Sequence, residues 1–163
     1  MRRDAQVGLA DGSYWVYKYD VLGQVTSGRR YWGDGTPVAG QQFEYSFDDI
    51  GNREQGRRGG DGAGGTLSSI DYTRDRLNRY SQRLVPAYVD IMGIANPTAN
   101  VTVNGNTAYR KGEYFWYALN VPNSTPQYPD VTVISTYGGQ QSSTGKAWVP
   151  PATESTSMTR TAT

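Results

Sequence analysis

Aromatic and polar residues alternate along several stretches of the chain, and this alternation predicts β-strands. In residues 15–19 the aromatic side chains occupy every second position, and residues 43–47 repeat the arrangement. A period of two places successive side chains on opposite faces of a strand. Both stretches end at an Asp followed by a Gly, residues that are typical of turns. The pattern therefore predicts strand–turn–strand hairpins that each carry one aromatic face.

The hairpins share the motif Tyr-x-x-Asp-x-[Leu/Ile]-[Gly/Asn], which occurs three times. The motif residues are Tyr17, Asp20, Gly23, Tyr45, Asp48, Gly51, Tyr72, Asp75 and Asn78. An Asp carboxylate can accept turn N–H groups, and Gly or Asn tolerates positive φ. Each Asp is therefore expected at a hairpin corner, with the Gly or Asn in left-handed backbone. One hairpin cannot bury its aromatic face alone, so neighbouring repeats are expected to supply the rest of the core.

Beyond residue 84 the motif stops and shorter strand patterns follow. Residues 101–105 read Val-Thr-Val-Asn-Gly, which predicts a hairpin. Further strands are predicted over residues 113–121 and 131–135, separated by a loop rich in Pro, Asn and Ser. Strands at this spacing are typical of a small β-sandwich, for which we expect five or six strands.

Composition narrows the function classes. The 163 residues are 36% hydrophobic, so the core is expected to be thin, and 13 Tyr with 20 Gly favour strands and turns. There is no Cys and no His, which excludes disulfide frameworks, Cys- or His-based nucleophile systems and Cys- or His-ligated zinc. The net charge of +1 argues against nucleic-acid binding. No apolar run is long enough to span a membrane, and residues 1–7 do not form a signal peptide.

At the repeat motif the chain resembles the bacterial RHS/YD-repeat proteins, and Asp48 to Arg53 matches their Gly-Asn-Arg corner well. The resemblance covers about residues 14–84; the third copy departs from it with Arg74 in place of an aromatic residue. It implies stacked hairpins in a spiral sheet, which in some members encloses a C-terminal toxin and in others lies on the cell surface. The segments Val-Thr-Val-Asn-Gly and Gly-Glu-Tyr-Phe are similar to Ig-like sandwich modules of bacterial surface proteins.

These observations predict an all-β chain in three parts. Residues 1–84 are expected to form the YD-repeat sheet, residues 85–149 a small Ig-like β-sandwich, and residues 150–163 a disordered tail rich in Ser and Thr. An alternative for the last part is a frameshift. One permitted choice of codons for residues 156–163 spells Leu-Tyr-Asp-Ala-Asp-Gly-Asn, another repeat corner, in an overlapping frame.

Other motifs have structural explanations. Residues 60–65 fit G-x-G-x-x-G, but a strand rather than a helix is predicted after them, so a loop between repeats is expected. A glycosidase pair involving Glu44, Asp48 or Asp49 conflicts with the turn role of Asp48 and with the position of Glu44 on the face opposite Tyr45. Asp34, Asp61 and Asp71 lack the alternating ligands of a calcium loop. We expect no catalytic residue, cofactor or metal.

Four aromatic residues remain as candidate carbohydrate contacts, namely Tyr31, Trp32, Tyr114 and Trp116. Tyr114 and Trp116 share one face of a strand whose other face is also aromatic, which suggests one buried and one accessible face. The sequence thus favours a non-enzymatic structural part of an RHS/YD-repeat shell or cell-surface protein, with flanking repeats of the parent chain as partners. The alternative is a carbohydrate-binding or adhesive module, again outside the cell or on its surface.

Overall fold

The computed structural model describes residues 4–155, and over this range the chain is all-β, which confirms the predicted fold class. No helix occurs in the described range, and hence none that could cross a membrane. In chain order the strands are β1 (Asp4–Gly8), β2 (Tyr14–Tyr19), β3 (Val25–Tyr31), β4 (Pro37–Phe47), β5 (Arg53–Gly59), β6 (Leu67–Arg74), β7 (Tyr80–Leu84), β8 (Tyr88–Ile94), β9 (Asn100–Val103), β10 (Asn106–Thr107), β11 (Tyr109–Lys111), β12 (Tyr114–Asn120), β13 (Asp130–Thr136), β14 (Gln140–Lys146) and β15 (Thr153–Ser155).

Eight of these strands form one antiparallel sheet. Its order is β1-β2-β3-β4-β5-β6-β7-β15, so strands adjacent in sequence are adjacent in space until β7, whose second neighbour is β15. The sheet is therefore a meander that is interrupted once and then resumed. Within the described residues, β1 and β15 are its two edges.

The six connections from β1 to β7 use the same turn. In the second connection the N–H of Asp20 donates to the carbonyl of Gln24 at 3.0 Å, and the N–H of Gly23 donates back to the carbonyl of Asp20 at 3.3 Å. This bonding is that of a type I turn followed by one left-handed residue. The left-handed residues are Gly12, Gly23, Gly35, Gly51, Gly64 and Asn78. Residues without a Cβ penalty, or with a short polar side chain, thus stand where φ must be positive.

The two faces of the eight-stranded sheet differ in chemistry. One carries the aromatic side chains of β2, β4 and β6, as the alternation predicts. On the other, Glu44 accepts hydrogen bonds from Arg29 and from Arg57, the latter at 2.9 Å. Glu44 is therefore held in an ion-pair network on β4, between β3 and β5.

Strands β8 to β14 form two smaller sheets that face each other. One has the order β10-β9-β13-β14 and the other β11-β12-β8. Val101, Val103, Phe115 and Val131 are buried between them, with Ala108. This arrangement has seven strands instead of the five or six expected from the sequence. The difference comes from β10 and β11, which are two and three residues long and too short to carry a recognisable hydrophobic period.

The chain leaves the eight-stranded sheet after β7 and returns to it before β15, and Asn123 links the two segments. Its Nδ2 donates to the carbonyls of Val85 at 3.2 Å and Pro150 at 2.8 Å, and the residue is 3% exposed. The backbone adds bonds from the N–H of Val85 to the carbonyl of Ala152 and from the N–H of Ala152 to the carbonyl of Asn123. We call this cluster the neck.

The expected disordered tail over residues 150–163 is wrong for its first part. Residues 153–155 form β15, which pairs with β7 in the register Thr153↔Leu84, Glu154↔Arg83 and Ser155↔Gln82. Arg83 and Glu154 also form an ion pair. Low hydrophobicity hid this strand in the sequence, because its order comes from backbone pairing with β7. Residues 156–163 lie outside the described range.

Candidate functional site

The repeat corners connect β2 to β3, β4 to β5 and β6 to β7, so they lie in a row at one end of the strands of the eight-stranded sheet. At the middle corner Asp48 accepts hydrogen bonds from the N–H groups of Ile50 at 3.2 Å and Asn52 at 2.7 Å. Asp20 and Asp75 accept the equivalent pairs of N–H groups at their own corners. The tyrosines of the motif lie on β2, β4 and β6, the strands that lead into the corners. The nine motif residues therefore act in local turn and strand geometry.

Consecutive corners are also bonded to each other. Gln24 Nε2 donates to the carbonyl of Gly51 at 3.4 Å, and Asn52 Nδ2 donates to Asn78 Oδ1 at 3.0 Å. Arg74, the residue that departs from the aromatic pattern, forms an ion pair with Asp48. The departure thus replaces an aromatic contact with a charged link to the preceding corner.

Part of the aromatic face forms an open groove of 540 Å³. Its rings come from β2 and β4, with Trp15 stacked on Phe43 at 6.0 Å between centroids and Tyr45 also in the lining. The guanidinium of Arg53 lies 4.4 Å from the centre of the Tyr45 ring. Opposite the tyrosines the paired residues are glycines, Tyr17↔Gly28 and Tyr45↔Gly56. The glycines leave room for the rings to lie flat on the sheet.

The predicted carbohydrate contacts are not at this groove. Tyr114 is 9% exposed, donates its hydroxyl to the carbonyl of Ala39 at 2.6 Å and meets Trp32 edge-on at 5.5 Å. Trp116 packs against the same cluster, and Tyr31 stacks on Tyr14 at 5.6 Å. The expectation that these rings form an accessible face is therefore wrong for Tyr114. Strand β12 turns one face to the sandwich core and the other to the eight-stranded sheet.

We call the contact between the sandwich and the eight-stranded sheet the junction. Its centre is the packing of Tyr114 and Trp116 of β12 against Val38 and Ala39 of β4. Sandwich rings contact glycines there: a Cβ on Gly62, in the β5–β6 connection, would stand 2.6 Å from Tyr109, and one on Gly59, at the end of β5, would stand 2.7 Å from the hydroxyl of Tyr88. Lys111 adds an ion pair with Asp34 at 2.5 Å. Such close approach requires glycine at these positions, so the two surfaces of the junction are complementary in shape.

Burial at the junction changes the acidity of two groups. Desolvation raises the pKa of Asp90, although its carboxylate accepts a hydrogen bond from Trp116 Nε1 at 2.8 Å. Desolvation likewise raises the pKa of Tyr88, whose hydroxyl donates to the carbonyl of Arg58 at 3.0 Å. Both groups are thus held in their neutral forms more strongly than in water.

A cleft of 390 Å³ opens beside the junction between Asp61, Tyr88 and Trp116. Asp61 is the one carboxylate of its lining, and it already accepts hydrogen bonds from Thr66 Oγ1 at 2.8 Å and from turn N–H groups, which lower its pKa. The cleft therefore offers no pair of carboxylates for acid–base chemistry.

The three Asp residues considered for calcium have other partners. Asp34 binds Lys111 and Thr36, Asp61 binds Thr66, and Asp71 accepts a hydrogen bond from Gln55 at 2.7 Å. Among residues 4–155, no three or more Asp or Glu side chains are grouped so that they could hold a metal ion.

Two important positions were missed by sequence reasoning. Asn123 sits in a polar loop and Asp90 in a short strand, and neither belongs to a motif. The one available signal was an Asp flanked by apolar residues in the segment Tyr-Val-Asp-Ile-Met, since such a residue needs a partner. Comparison of the chain with protein-family models, curated proteins and solved structures finds no match.

Proposed function

We propose that this chain is a non-enzymatic structural part of a longer repeat sheet of the RHS/YD type, in a shell or on a cell surface. The observation that carries the proposal is the row of bonded corners. Gln24 reaches the next corner at Gly51, and Asn52 reaches the next at Asn78, so each hairpin is fixed by its neighbour. A hairpin that depends on its neighbours in this way suits an array better than an isolated domain.

The edges of the sheet support the same role. Strand β1 is exposed along its whole length, and Val7 keeps 49% of its surface accessible. An exposed strand edge presents unpaired backbone N–H and C=O groups and tends to pair with another chain unless something covers it. In a longer array the neighbouring repeat would cover it.

Sedimentation velocity over a concentration series tests this role. We expect the chain to associate as its concentration rises, and we expect Val7→Lys to remain a monomer because a charged residue blocks edge pairing. Ile50→Lys is the matched control, because Ile50 is 72% exposed but lies in the corner between β4 and β5, away from β1. A chain that stays monomeric throughout, or a Val7→Lys variant that associates equally well, would contradict the proposed array.

A carbohydrate-binding module is the second candidate, and the groove favours it. Trp15, Phe43 and Tyr45 present ring surface beside the Arg53 guanidinium, and sugar rings stack on such surfaces while charged groups bind their hydroxyls. On a glycan array, binding that is lost in Trp15→Ala and Tyr45→Ala but kept in Tyr137→Ala would support this function. Tyr137 is 62% exposed and lies on the β13–β14 turn of a different sheet from the groove. Equal signals from all three variants would reject it.

A further inference from the structure

The pairing between successive repeats follows a constant register. Between β3 and β4, Ser27 pairs with Glu44; the first is the seventh residue after the corner Asp20, and the second is the fourth before the corner Asp48. Between β5 and β6, Gln55 pairs with Asp71, which are the seventh residue after Asp48 and the fourth before Asp75. One rule thus relates each corner to the next in the sheet.

Strand β15 obeys the same rule although the whole sandwich precedes it. The seventh residue after Asp75 is Gln82, and it pairs with Ser155. Ser155 therefore occupies the position four residues before a corner. The rule places the next corner aspartate at position 159 and its left-handed glycine or asparagine at position 162.

The genetic code points to the same position independently. Met158 has the single codon ATG, and every codon of Thr159 begins with AC. In the frame that begins one base earlier, the bases G-AC encode aspartate at position 159, whichever synonymous codons are used elsewhere. In that frame position 162 is glycine if the codon of Thr161 ends in G, and position 158 is tyrosine if the codon of Ser157 ends in T.

We propose that the outer edge of β15 is the docking edge for one more corner hairpin, encoded in the reading frame that overlaps codons 156–163. The inference rests on the proposed role as part of a repeat array, and it specifies the partner: a hairpin with Asp-x-x-Gly in the register of the first three corners.

The row of corners favours a further corner hairpin, and not a second copy of the chain, as the partner of β15. The fourth residue after each corner Asp faces the next corner: Gln24 bonds to Gly51 and Asn52 bonds to Asn78. Arg79 holds the same place after Asp75, where its guanidinium already binds the Asp75 carboxylate. A following corner would present its carbonyl and carboxylate oxygens to this cation, whereas a second copy pairing through β15 supplies no corner in that register.

Sequencing the coding DNA from codon 150 onward is the first test. We expect the overlapping frame to stay open beyond codon 163, to encode Gly at position 162, and to continue into a return strand. A stop codon in that frame, or another residue at position 162, overturns the proposal. Either result leaves the proposed structural role standing, because sedimentation of Val7→Lys tests that role separately.

Hydrogen exchange tests the docking in the protein itself. Three chains are compared, and all of them carry Val7→Lys to prevent pairing through β1. The first is otherwise unchanged, and the second has the residues of the overlapping frame after Ser155. The third is the second chain with its corner aspartate replaced by alanine. We expect the amides of β15 to exchange at least about tenfold more slowly in the second chain than in the other two. Equal exchange in the three chains overturns the proposal, and so does exchange in the first chain that slows with concentration, since a second copy would then be the occupant.

Discussion

Trp116 lies so close to Gly40 that a Cβ on the glycine would stand 2.6 Å from the indole Cδ1. Gly40 has φ +78, and its N–H donates to the carbonyl of Gly60 at 2.7 Å. The contact joins β4 of the large sheet to β12 of the sandwich. The junction therefore depends on a residue that can both take left-handed backbone and leave space for an indole ring.

Replacing Gly40 with alanine should destabilise the protein by about 2–4 kcal/mol, because strained backbone adds to overpacking against Trp116. Gly12→Ala is the matched control: its φ is +80, but a Cβ there meets nothing within 4 Å. It should cost only about 1 kcal/mol from the backbone. Urea unfolding of both variants measures the difference, and equal costs would mean that the indole moves away freely.

The corner aspartates should matter through their hydrogen bonds and not through charge alone. Asp48→Ala removes an acceptor for two turn N–H groups, for Asn52 Nδ2 at 3.0 Å and for the Arg74 guanidinium, and we expect a loss of about 1–3 kcal/mol. Asp49→Ala, at the adjacent exposed position, should stay within about 0.5 kcal/mol of the wild type. Denaturant titration of the two variants separates a corner role from a general charge effect, which would make them alike.

The neck should control whether β15 stays in the sheet. Asn123→Ala leaves the carbonyls of Val85 and Pro150 without its amide donor, which should cost about 2–3 kcal/mol. The amides of β15 should also exchange faster. Asn100→Ala is the control, because Asn100 is exposed on β9. Unchanged exchange in β15 of Asn123→Ala would indicate that backbone pairing alone holds the strand.

Asp90 should make the protein less stable as the pH rises. Its pKa is raised in the folded state, so the folded protein binds more protons than the unfolded chain once the pH passes the ordinary value of 3.8. The protein therefore loses this part of its stability as the pH rises from 3.8 through the pKa that Asp90 has in the folded state. Asp90→Asn keeps an acceptor for Trp116 without the charge, and its melting temperature relative to the wild type should increase from pH 4 to 7. Asp49→Asn serves as control; a gap independent of pH would contradict the assignment.

The sequence was informative where structure is local. Asp20, Asp48 and Asp75, with a Gly or Asn three residues later, predict the corners because the hydrogen bonds of each corner span only five residues. The burial of Tyr114 could not be predicted from the sequence, because its hydroxyl donates to the carbonyl of Ala39, 75 positions away. Alternation alone does not show which surface covers a strand face. Strand β15 was hidden for a similar reason, since its only strong signal is pairing with β7 across the entire sandwich.

Tyr114 should give the junction a distinct alkaline signature. Desolvation raises its pKa from 10.0 to about 12, so between these values the folded state retains a proton that the unfolded chain loses. This contribution to stability is complete below pH 10 and falls as the pH rises through that range. Tyr114→Phe should cost about 1–2 kcal/mol at pH 8, because the carbonyl of Ala39 loses its buried donor. The cost should shrink as the pH rises above 10, since phenylalanine cannot ionise. Tyr137→Phe, at a 62% exposed site, should change stability little at pH 8. Urea unfolding at pH 8, 10 and 11 measures both variants, and a Tyr114→Phe cost that stays constant over this series would place the phenol in contact with water.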